Sequence, residues 1–339
     1  MSRMGREPME RCTIIVDARD RFSTTTRCLE TLIANTPAPY DLIVVMGGAP
    51  EHLKKAWMAR FSDQARFIFR PDFLNQPQAR NIGLRAATTR LAVVMDNDNF
   101  VRPGWLEALV RCQQETGAVL VVPIVLETPR RIHAAGNDLH ITYENGCAYG
   151  EKHLRYHRLT LTERCNMKRQ RIDYAEMHCQ LVEVEPTLRL GAYDERIIEV
   201  GEIDQGLTYQ QAGCQQWCEP AAVVHYALGC PIAVEDIRLF AWRWNIRRVG
   251  EGYAYFQKKR NFDMSEHGRM RGWLVGYNSQ LGLLPRLWPS ALSLRVDGWV
   301  GRARTRILDL CRIPRDRFRV YKKRRLGYYE WPSGASQPS

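Results

Sequence analysis

The sequence contains no apolar run long enough to cross a bilayer and no apolar signal-peptide core at its start. A membrane-spanning helix needs about 20 consecutive apolar residues. The longest uninterrupted stretch, Ala118 to Leu126, is far shorter and contains Pro123. Residues 1–11 are charged rather than apolar. We therefore expect a cytoplasmic protein without a transmembrane anchor.

The ten cysteines lack the close pairing that is typical of zinc sites. No two of them are separated by two residues, the spacing found in most structural zinc motifs. The densest cluster is Cys214, Cys218, His225 and Cys230, and we interpret its thiols as packing residues. A disulfide framework is expected in short secreted chains rather than in one of this length.

Signatures of nucleic-acid binding are also missing: the sequence has no helix-turn-helix, zinc-finger or RNA-binding motif. The segment after the first predicted strand, Val16 to Ser23 (VDARDRFS), is not a glycine-rich phosphate loop of the kind that nucleotidyltransferases carry. This absence argues against a metal-dependent nucleotidyltransferase, which is kept as an alternative because such enzymes also use paired carboxylates with a metal. No specific nucleic-acid partner is expected.

The positive charge lies almost entirely in the last third of the chain. The net charge is +12, and from Pro231 onward there are 22 Lys and Arg against 9 Asp and Glu. We predict a catalytic domain over residues 1–230 and a basic, mainly helical region over 231–339. Apolar and aromatic residues interleaved with cations fit a surface that lies on an anionic membrane, at the inner face of the cell membrane. The alternative is a helical appendage on the acceptor side with a solvated basic face.

Apolar strands alternate with helical patterns in the first half of the chain, which predicts an α/β fold. Continuous apolar strands separated by helices are typical of a Rossmann-type, mostly parallel sheet flanked by helices on both faces. The predicted strands are Cys12 to Val16, Leu42 to Val45, Arg66 to Phe69, Leu91 to Met95 and Ala118 to Val125.

Such folds bind ligands beyond the carboxyl ends of their strands, so the residues after each strand are the candidate site. The first strand is followed by Asp17, Arg19 and Asp20, and the fourth by Asp96-Asn97-Asp98. Two carboxylates separated by one residue can share Mg²⁺ or Mn²⁺, which prefer oxygen ligands. The alternative is a turn in which Asp and Asn cap the next helix.

Several ordered motifs resemble those of the inverting family 2 glycosyltransferases with the GT-A fold. They are CTIIVDARDR at the start, Ala79-Arg80-Asn81-Ile82-Gly83-Leu84, VVMDNDNFVRPGWLEALV, Gly191-Ala192-Tyr193-Asp194-Glu195-Arg196, Gly201-Glu202-Ile203-Asp204 before Gln211-Ala212-Gly213, and Ala222-Val223-Val224-His225. The resemblance spans roughly Cys12 to Tyr226.

The resemblance implies transfer of a sugar from a nucleotide-sugar donor to a glycan or lipid-linked glycan, with inversion and with a divalent cation, Mn²⁺ or Mg²⁺. By motif position the metal ligands would be Asp98, Asp96 and His225, although a histidine that closes such a strand can be purely structural. The implied donor-binding residues are Asp17, Arg19, Asp20, Met46, Arg80, Asp96 and Asn97. For Arg80, a surface ion pair is the alternative.

Inversion in one displacement needs a base that takes the proton of the acceptor hydroxyl as it attacks. The candidates are Glu199, Glu202 and Asp204. Motif position favours Glu202 and then Asp204 as the catalytic residues. The alternative is that these acids merely stabilise the start of the following helix.

Two departures from the family pattern concern the donor and the base. Met46-Gly47-Gly48 stands where the family usually has an acidic residue after the second strand, and Gly201 stands where an acid often precedes the base. A degenerate transferase that binds a nucleotide or sugar, or acts as a scaffold, therefore remains a non-enzymatic alternative.

Overall fold

The structure, a computed structural model of the chain, describes residues 10–37, 39–128, 131–144, 147–156, 167–227 and 232–264. Most of the basic region predicted over 231–339, including its interleaved apolar and cationic residues beyond 264, lies outside the described residues. Within the described part, no helix combines the length and apolar character needed to cross a bilayer.

The described residues form strands and helices that alternate through the first half of the chain. The strands are β1 (Cys12–Asp17), β2 (Tyr40–Gly47), β3 (Arg66–Arg70), β4 (Leu91–Asp96), β5 (Asn99–Val101), β6 (Leu120–Thr128), β7 (Arg131–Ala134), β8 (Asn137–Glu144), β9 (Cys147–Leu154), β10 (Gln170–Arg171), β11 (Cys179–Glu183), β12 (Gln216–Tyr226) and β13 (Phe262–Met264). The helices are α1 (Thr25–Asn35), α2 (Glu51–Phe61), α3 (Gln76–Ala86), α4 (Trp105–Thr116), α5 (Val184–Arg189), α6 (Gly201–Gln211), α7 (Ile237–Arg243) and α8 (Ile246–Arg260).

A ten-stranded sheet with the order β10-β12-β6-β11-β4-β1-β2-β3 forms the centre, with β5 paired to β12 and β7 to β6. The pairs β1–β2, β1–β4 and β2–β3 are parallel, as is β6–β12. The predicted α/β class is confirmed. The sheet is more mixed than predicted, because β11 enters antiparallel between β4 and β6. This insertion brings the start of β11 to the carboxyl end of β4.

Helices cover both faces of the sheet, and β1 shows how the sequence produces this arrangement. Successive side chains of a strand point to opposite faces. Ile14 and Val16 pack in one apolar cluster with Trp57 and Trp105, whereas Ile15 packs in a second cluster with Leu84. Because β1 is buried on both faces, it reads as a continuous apolar run.

Helix α3 packs unusually close to β1 because Gly83 faces the strand. A Cβ atom at this position would overlap Cγ2 of Ile15. The helix starts with a capping box in which Asn75 and Gln78 exchange hydrogen bonds of 2.9 and 3.0 Å. The close packing places Arg80, three residues before Gly83, beneath the carboxyl ends of β1 and β4.

The last described segment, residues 232–264, packs on the preceding part of the chain. Helices α7 and α8 share a third apolar cluster with α6, which includes Ile203, Phe240 and Phe256. The buried carboxylate of Asp236 accepts hydrogen bonds from the amides of Phe22 (2.7 Å) and Ser23 (3.0 Å) in the loop after β1. The division of the chain at residue 230 stays a prediction.

We predict that Gly83→Ala destabilises the protein, although alanine is the better helix former. The added methyl group must displace Ile15 in a fully buried contact, and overpacking of this kind costs about 1–3 kcal/mol. The measurement is urea unfolding followed by circular dichroism.

The matched control is Gly250→Ala in α8, where an added Cβ would meet nothing within 4 Å. That change is expected to leave the free energy of unfolding unchanged or to raise it by up to about 1 kcal/mol. Equal effects of the two substitutions would contradict the close packing of α3 on β1.

Candidate active site

Two buried carboxylates stand side by side at the carboxyl ends of β1 and β4, and Arg80 binds both. Asp17 and Asp96 are register partners in the parallel pair. Arg80 Nε lies 3.1 Å from Asp17 Oδ1, and Nη2 lies 2.7 Å from Asp96 Oδ1. Arg80 Nη2 also donates to the carbonyl of Met177. Arg80 has no exposed surface, so it is not in the surface ion pair that was the alternative.

The buried charges alter one another's protonation. Burial raises the pKa of Asp17, and this effect exceeds the lowering by Arg80. For Asp96, burial is outweighed by Arg80 and by the nearby His178 and Arg19, so its pKa is lowered. The carboxylates hold Arg80 charged by raising its pKa despite burial. Arg80 Nη1 is buried without a hydrogen-bond partner, which leaves one donor of the guanidinium available to an anion.

The middle residue of the acidic triplet, Asn97, fixes the loop that follows β1. Its Nδ2 donates to the carbonyl of Arg21 (2.7 Å) and to Thr25 Oγ1 (2.8 Å), and its Oδ1 accepts from the amide of Arg19 (3.3 Å). These bonds occupy the Asn97 amide within the protein. Its predicted contact with the donor stays a prediction, and the structure gives it a role in loop positioning.

Asp98 is the least compensated carboxylate of the triplet. Oδ1 accepts one long hydrogen bond from Asn99 Nδ2 (3.3 Å), and Oδ2 is buried with no partner. Burial and the neighbouring charge of Asp96 raise the pKa of Asp98. A buried carboxylate without a compensating donor is costly, and a bound cation would remove that cost.

His178, which the sequence analysis did not single out, lies against this triplet. It directly precedes β11, and its Nδ1 is 3.5 Å from Asp96 Oδ2. Among the described residues, Asp96, Asp98 and His178 form a group whose ligand atoms all lie within 4.8 Å of one another. In the sequence, His178 could have been noticed only because Glu176-Met177-His178 directly precedes a mainly apolar segment. The antiparallel insertion of β11, which brings that segment to β4, could not be predicted from it.

The same histidine belongs to a second group, with His133 and Glu176. The His133 Nε2 and His178 Nε2 atoms each lie 3.3 Å from Glu176 Oε2. Burial favours the neutral acid, but the hydrogen bonds from His133 and His178 hold the pKa of Glu176 well below its usual value. Burial lowers the pKa of His133, yet Glu127 and Glu176 raise it to about 9. His133 is therefore a cation at neutral pH.

The triplet and His178 fit a divalent cation. Asp96 Oδ2, Asp98 Oδ2 and His178 Nδ1 are all buried and make no hydrogen bond. Carboxylate oxygen together with one imidazole suits Mn²⁺, and carboxylates with open positions suit Mg²⁺. Two ligands that each lie about 2.1 Å from an ion are at most about 4 Å apart, and the 3.5 Å between Asp96 Oδ2 and His178 Nδ1 lies within that limit.

Arg19 and Asp20, in the loop after β1, contact aromatic residues at the ends of β12 and α7. Arg19 Nη1 donates to the hydroxyl of Tyr226 (2.7 Å), and its guanidinium lies over the rings of Tyr226 and Trp244. Asp20 accepts from Arg21 Nε (2.7 Å) and from Trp244 Nε1 (3.0 Å). Both residues lie beside the triplet, and their contacts with a donor stay predictions.

Met46 and His225 lie in less accessible positions. Met46 has no exposed surface and packs in the first apolar cluster. His225 pairs with Phe100 across β12 and β5, and burial together with Arg102 lowers its pKa to about 3. The groups of metal-ligating atoms found within the described ranges include His178 and leave out His225. The roles assigned to Met46 and His225 stay predictions.

The three candidate bases differ in their partners. Glu202, in the first turn of α6, lies 2.5 Å from Lys152 Nζ. Asp204 is buried and bound by Lys259 (2.8 Å) and Arg260 (2.7 Å). Glu199 lies 2.6 Å from Arg243 Nη2.

Lys152 forms an ion pair with Glu202, and its pKa also responds to Glu176, which contacts His178 beside the triplet. Burial lowers the pKa of Lys152, but the charges of Glu202, Glu176 and Glu199 raise it overall. Glu202 thus contacts the ammonium group of Lys152, the charges of Glu176 and Glu199 act on the same group, and Glu176 in turn contacts His178.

The comparisons with known proteins agree with this geometry. A family model described as Glycosyl transferase family 2 matches residues 13–175. A similar solved structure is the crystal structure of GalNAc-T7 with UDP, GalNAc and Mn²⁺, with a TM-score of 0.51 and 17% identity, covering 79% of this chain and 55% of that one. The chain thus spans about half the length of that neighbour. No curated protein matches the sequence significantly.

The family match begins at β1 and includes Arg80 and the acidic triplet, and the structural likeness extends beyond it. At 17% identity that likeness shows the fold alone. Residues 13–175 of the chain thus match the model of Glycosyl transferase family 2, and the described residues have a fold of the GT-A type.

Proposed function

We propose that the chain is an inverting glycosyltransferase that moves a sugar from a nucleotide-sugar donor to an acceptor hydroxyl, with a divalent cation at Asp96 and Asp98. The observation that carries this proposal is the set of buried, unpartnered ligand atoms on Asp96, Asp98 and His178. They lie at the carboxyl ends of the strands, where α/β sheets bind nucleotides. When bound, the cation neutralises charge on the departing diphosphate.

The chain's own residues orient the donor around this position. Arg80 holds Asp96 through Oδ1, so that Oδ2 is directed away from the salt bridge. The free Nη1 of Arg80 is a donor for a phosphate oxygen. Asn97 holds the backbone of Arg19, and the Arg19 guanidinium between Tyr226 and Trp244 adds a second positive charge beside the triplet.

Glu202 is the base that the contacts favour. Asp204 is bound by Lys259 and Arg260 and is 6% exposed, whereas the Glu202 side chain forms one ion pair within the described residues, with Lys152, and is 16% exposed. In the proposed step, the acceptor oxygen forms a bond to the anomeric carbon as the bond to the diphosphate oxygen breaks. Glu202 takes the hydroxyl proton, and Lys152, 2.5 Å away, holds the Glu202 carboxylate in place.

The acceptor is proposed to be a glycan or a lipid-linked glycan. The neighbouring structure contains GalNAc together with UDP, which supports a sugar acceptor or product in a site of this shape. A lipid-linked acceptor would agree with the 22 Lys and Arg found from Pro231 onward, since a basic surface is attracted to anionic headgroups. The proposed location is therefore cytoplasmic, peripheral at the inner face of the membrane.

Binding of a nucleoside diphosphate should depend on the cation and on Asp98. The best nucleotide is selected by a thermal-shift screen with and without Mn²⁺, because a ligand of the native state raises the melting temperature. Calorimetry with that nucleotide should then show that Asp98→Asn weakens the Mn²⁺-dependent binding at least about tenfold, because one charged ligand is lost.

The matched control is Asp63→Asn, the same chemical change at an exposed turn residue, which should bind as the unaltered protein does. Identical affinities with and without Mn²⁺ in the unaltered protein would refute the cation site. Binding without any sugar transfer would favour the degenerate, non-enzymatic alternative.

Replacing Glu202 by Gln should abolish turnover and preserve donor binding. Loss of a well-placed base lowers the rate by about 10²–10⁴-fold, and the neutral amide cannot accept the proton. The measurement is nucleotide-sugar hydrolysis or transfer, with donor affinity determined in parallel. The control is Glu185→Gln, in an exposed i,i+4 pair of α5, which should keep full activity. Full activity of Glu202→Gln would exclude Glu202 as the base.

The full-length protein should sediment with vesicles of mixed phosphatidylserine and phosphatidylcholine at low salt, and less so as salt screens the charges. Truncation after Arg312 removes seven of the Lys and Arg residues and should reduce the bound fraction. Vesicles of phosphatidylcholine alone are the control. A full-length protein that never sediments with the anionic vesicles would contradict the membrane proposal.

A further inference from the structure

The ring of His178 lies between two carboxylates, and each of its nitrogens faces one of them. Nδ1 is 3.5 Å from Asp96 Oδ2, and Nε2 is 3.3 Å from Glu176 Oε2. Nδ1 is buried and makes no hydrogen bond. Since the side chain is only 6% exposed, this nitrogen faces the interior of the site rather than solvent.

The main chain of His178 is hydrogen-bonded to the acidic triplet and to Asn99. The His178 carbonyl accepts from the amide of Asp96 (3.0 Å) and from Asn99 Nδ2 (3.0 Å). The ring packs on Tyr226 with a centroid separation of 4.4 Å. The rotation and translation of the imidazole relative to the triplet are therefore both restricted.

Behind His178, a row of alternating acidic and imidazole groups continues to β6. Glu176 contacts His133 Nε2 at 3.3 Å, and His133 Nδ1 lies 3.5 Å from Glu127 Oε2. The two imidazole rings meet edge to face, 5.0 Å apart. Both nitrogens of His133 thus face carboxylates, so His133 is arranged to donate hydrogen bonds rather than to bind an ion.

We propose that His178 Nδ1 is the imidazole ligand of the ion at Asp96 and Asp98, and that Glu176, held by His133, orients it. This proposal rests on the cation-dependent function proposed above. Metal-binding histidines usually donate their second N–H to a carboxylate, which fixes the tautomer and the ring direction. Here the Glu176 carboxylate receives Nε2–H, which leaves the lone pair of Nδ1 for the ion.

The proposal assigns to His178 the part that motif position gave to His225. His178 shares a group of converging ligand atoms with Asp96 and Asp98, whereas His225 falls outside the groups found in the described ranges. It also makes Glu176 and His133 positioning residues for one ion instead of ligands of a second ion.

The test uses Mn²⁺ bound to the full-length protein and reads the ligand directly by pulsed electron paramagnetic resonance, which detects the coupling of a ¹⁴N nucleus to the ion. The unaltered protein should bind one Mn²⁺ per chain and show imidazole nitrogen coupling. His178→Gln should lose the coupling. His225→Gln, His133→Gln and the exposed-site control His140→Gln should each retain it.

Glu176→Gln separates orientation from ligation. It should retain the nitrogen coupling and weaken Mn²⁺ affinity about 10–100-fold, the usual cost of losing such a support. Thermal unfolding of each variant establishes that it folds. If His178→Gln does not fold, the remaining variants still decide the assignment, because a coupling lost in His225→Gln or His133→Gln overturns it.

The outcomes separate this proposal from the proposed function. Mn²⁺ binding without nitrogen coupling, or with coupling that persists in His178→Gln, overturns the role of His178 and leaves a cation-dependent transferase intact. Two Mn²⁺ per chain, one of which is lost in His133→Gln, would show a separate second ion and also overturn the proposal. No Mn²⁺ binding by the unaltered protein, with or without nucleotide, would reject the cation itself.

Discussion

The buried salt bridges of Arg80 are the constraint on which the rest of the site depends. The charge of a guanidinium with no exposed surface must be compensated by opposite charge close to it. Asp17 and Asp96 meet this requirement, and in doing so they align the ends of β1 and β4. The same contact needs α3 to lie against the sheet, which Gly83 permits. The position of α3, the alignment of the ends of β1 and β4, and the geometry of the site therefore depend on one another.

The arrangement leaves an excess of negative charge at one place. Arg80 and Gln76 bind Oδ1 of Asp96, so that Oδ2 and the whole of Asp98 have little compensation. Arg19 approaches Asp96 Oδ2 only to 4.0 Å. Burial without a partner raises the free energy of a carboxylate. A cation at this position would offset that cost. The Nδ1 atom of His178 lies 3.5 Å from Asp96 Oδ2 at the same place.

The sequence was sufficient for the alternating elements and for the acidic triplet, because both are local patterns. Each predicted strand from Cys12 to Met95 lies within an observed strand. The pairing of distant strands and the long-range ion pairs could not be predicted from the sequence. His178 reaches the triplet through the antiparallel insertion of β11, and Asp204 acquires its cations from α8, over 50 residues away. Long-range register and ion pairing depend on tertiary packing, which residue spacing does not encode.

The unusual Met46-Gly47-Gly48 end of β2 has a packing explanation. A Cβ on Gly47 would lie 2.5 Å from the carbonyl oxygen of Asp72, and Gly48 has a φ of +66° with Phe73 directly against it. The loop after β3 thus fills the space beside the end of β2 where the resemblance predicted an acidic side chain, and Trp242 of α7 packs on Phe73 (5.6 Å).

The C-terminal segment completes this edge of the site. Arg243 bonds Gln76, which holds Asp96, and Trp244 bonds Asp20. Residues beyond the predicted boundary at 230 therefore support the triplet through Gln76, and the loop after β1 through Asp20. Arg243 and Trp244, at the end of α7, lie outside the region of residues 13–175 that the family model matches.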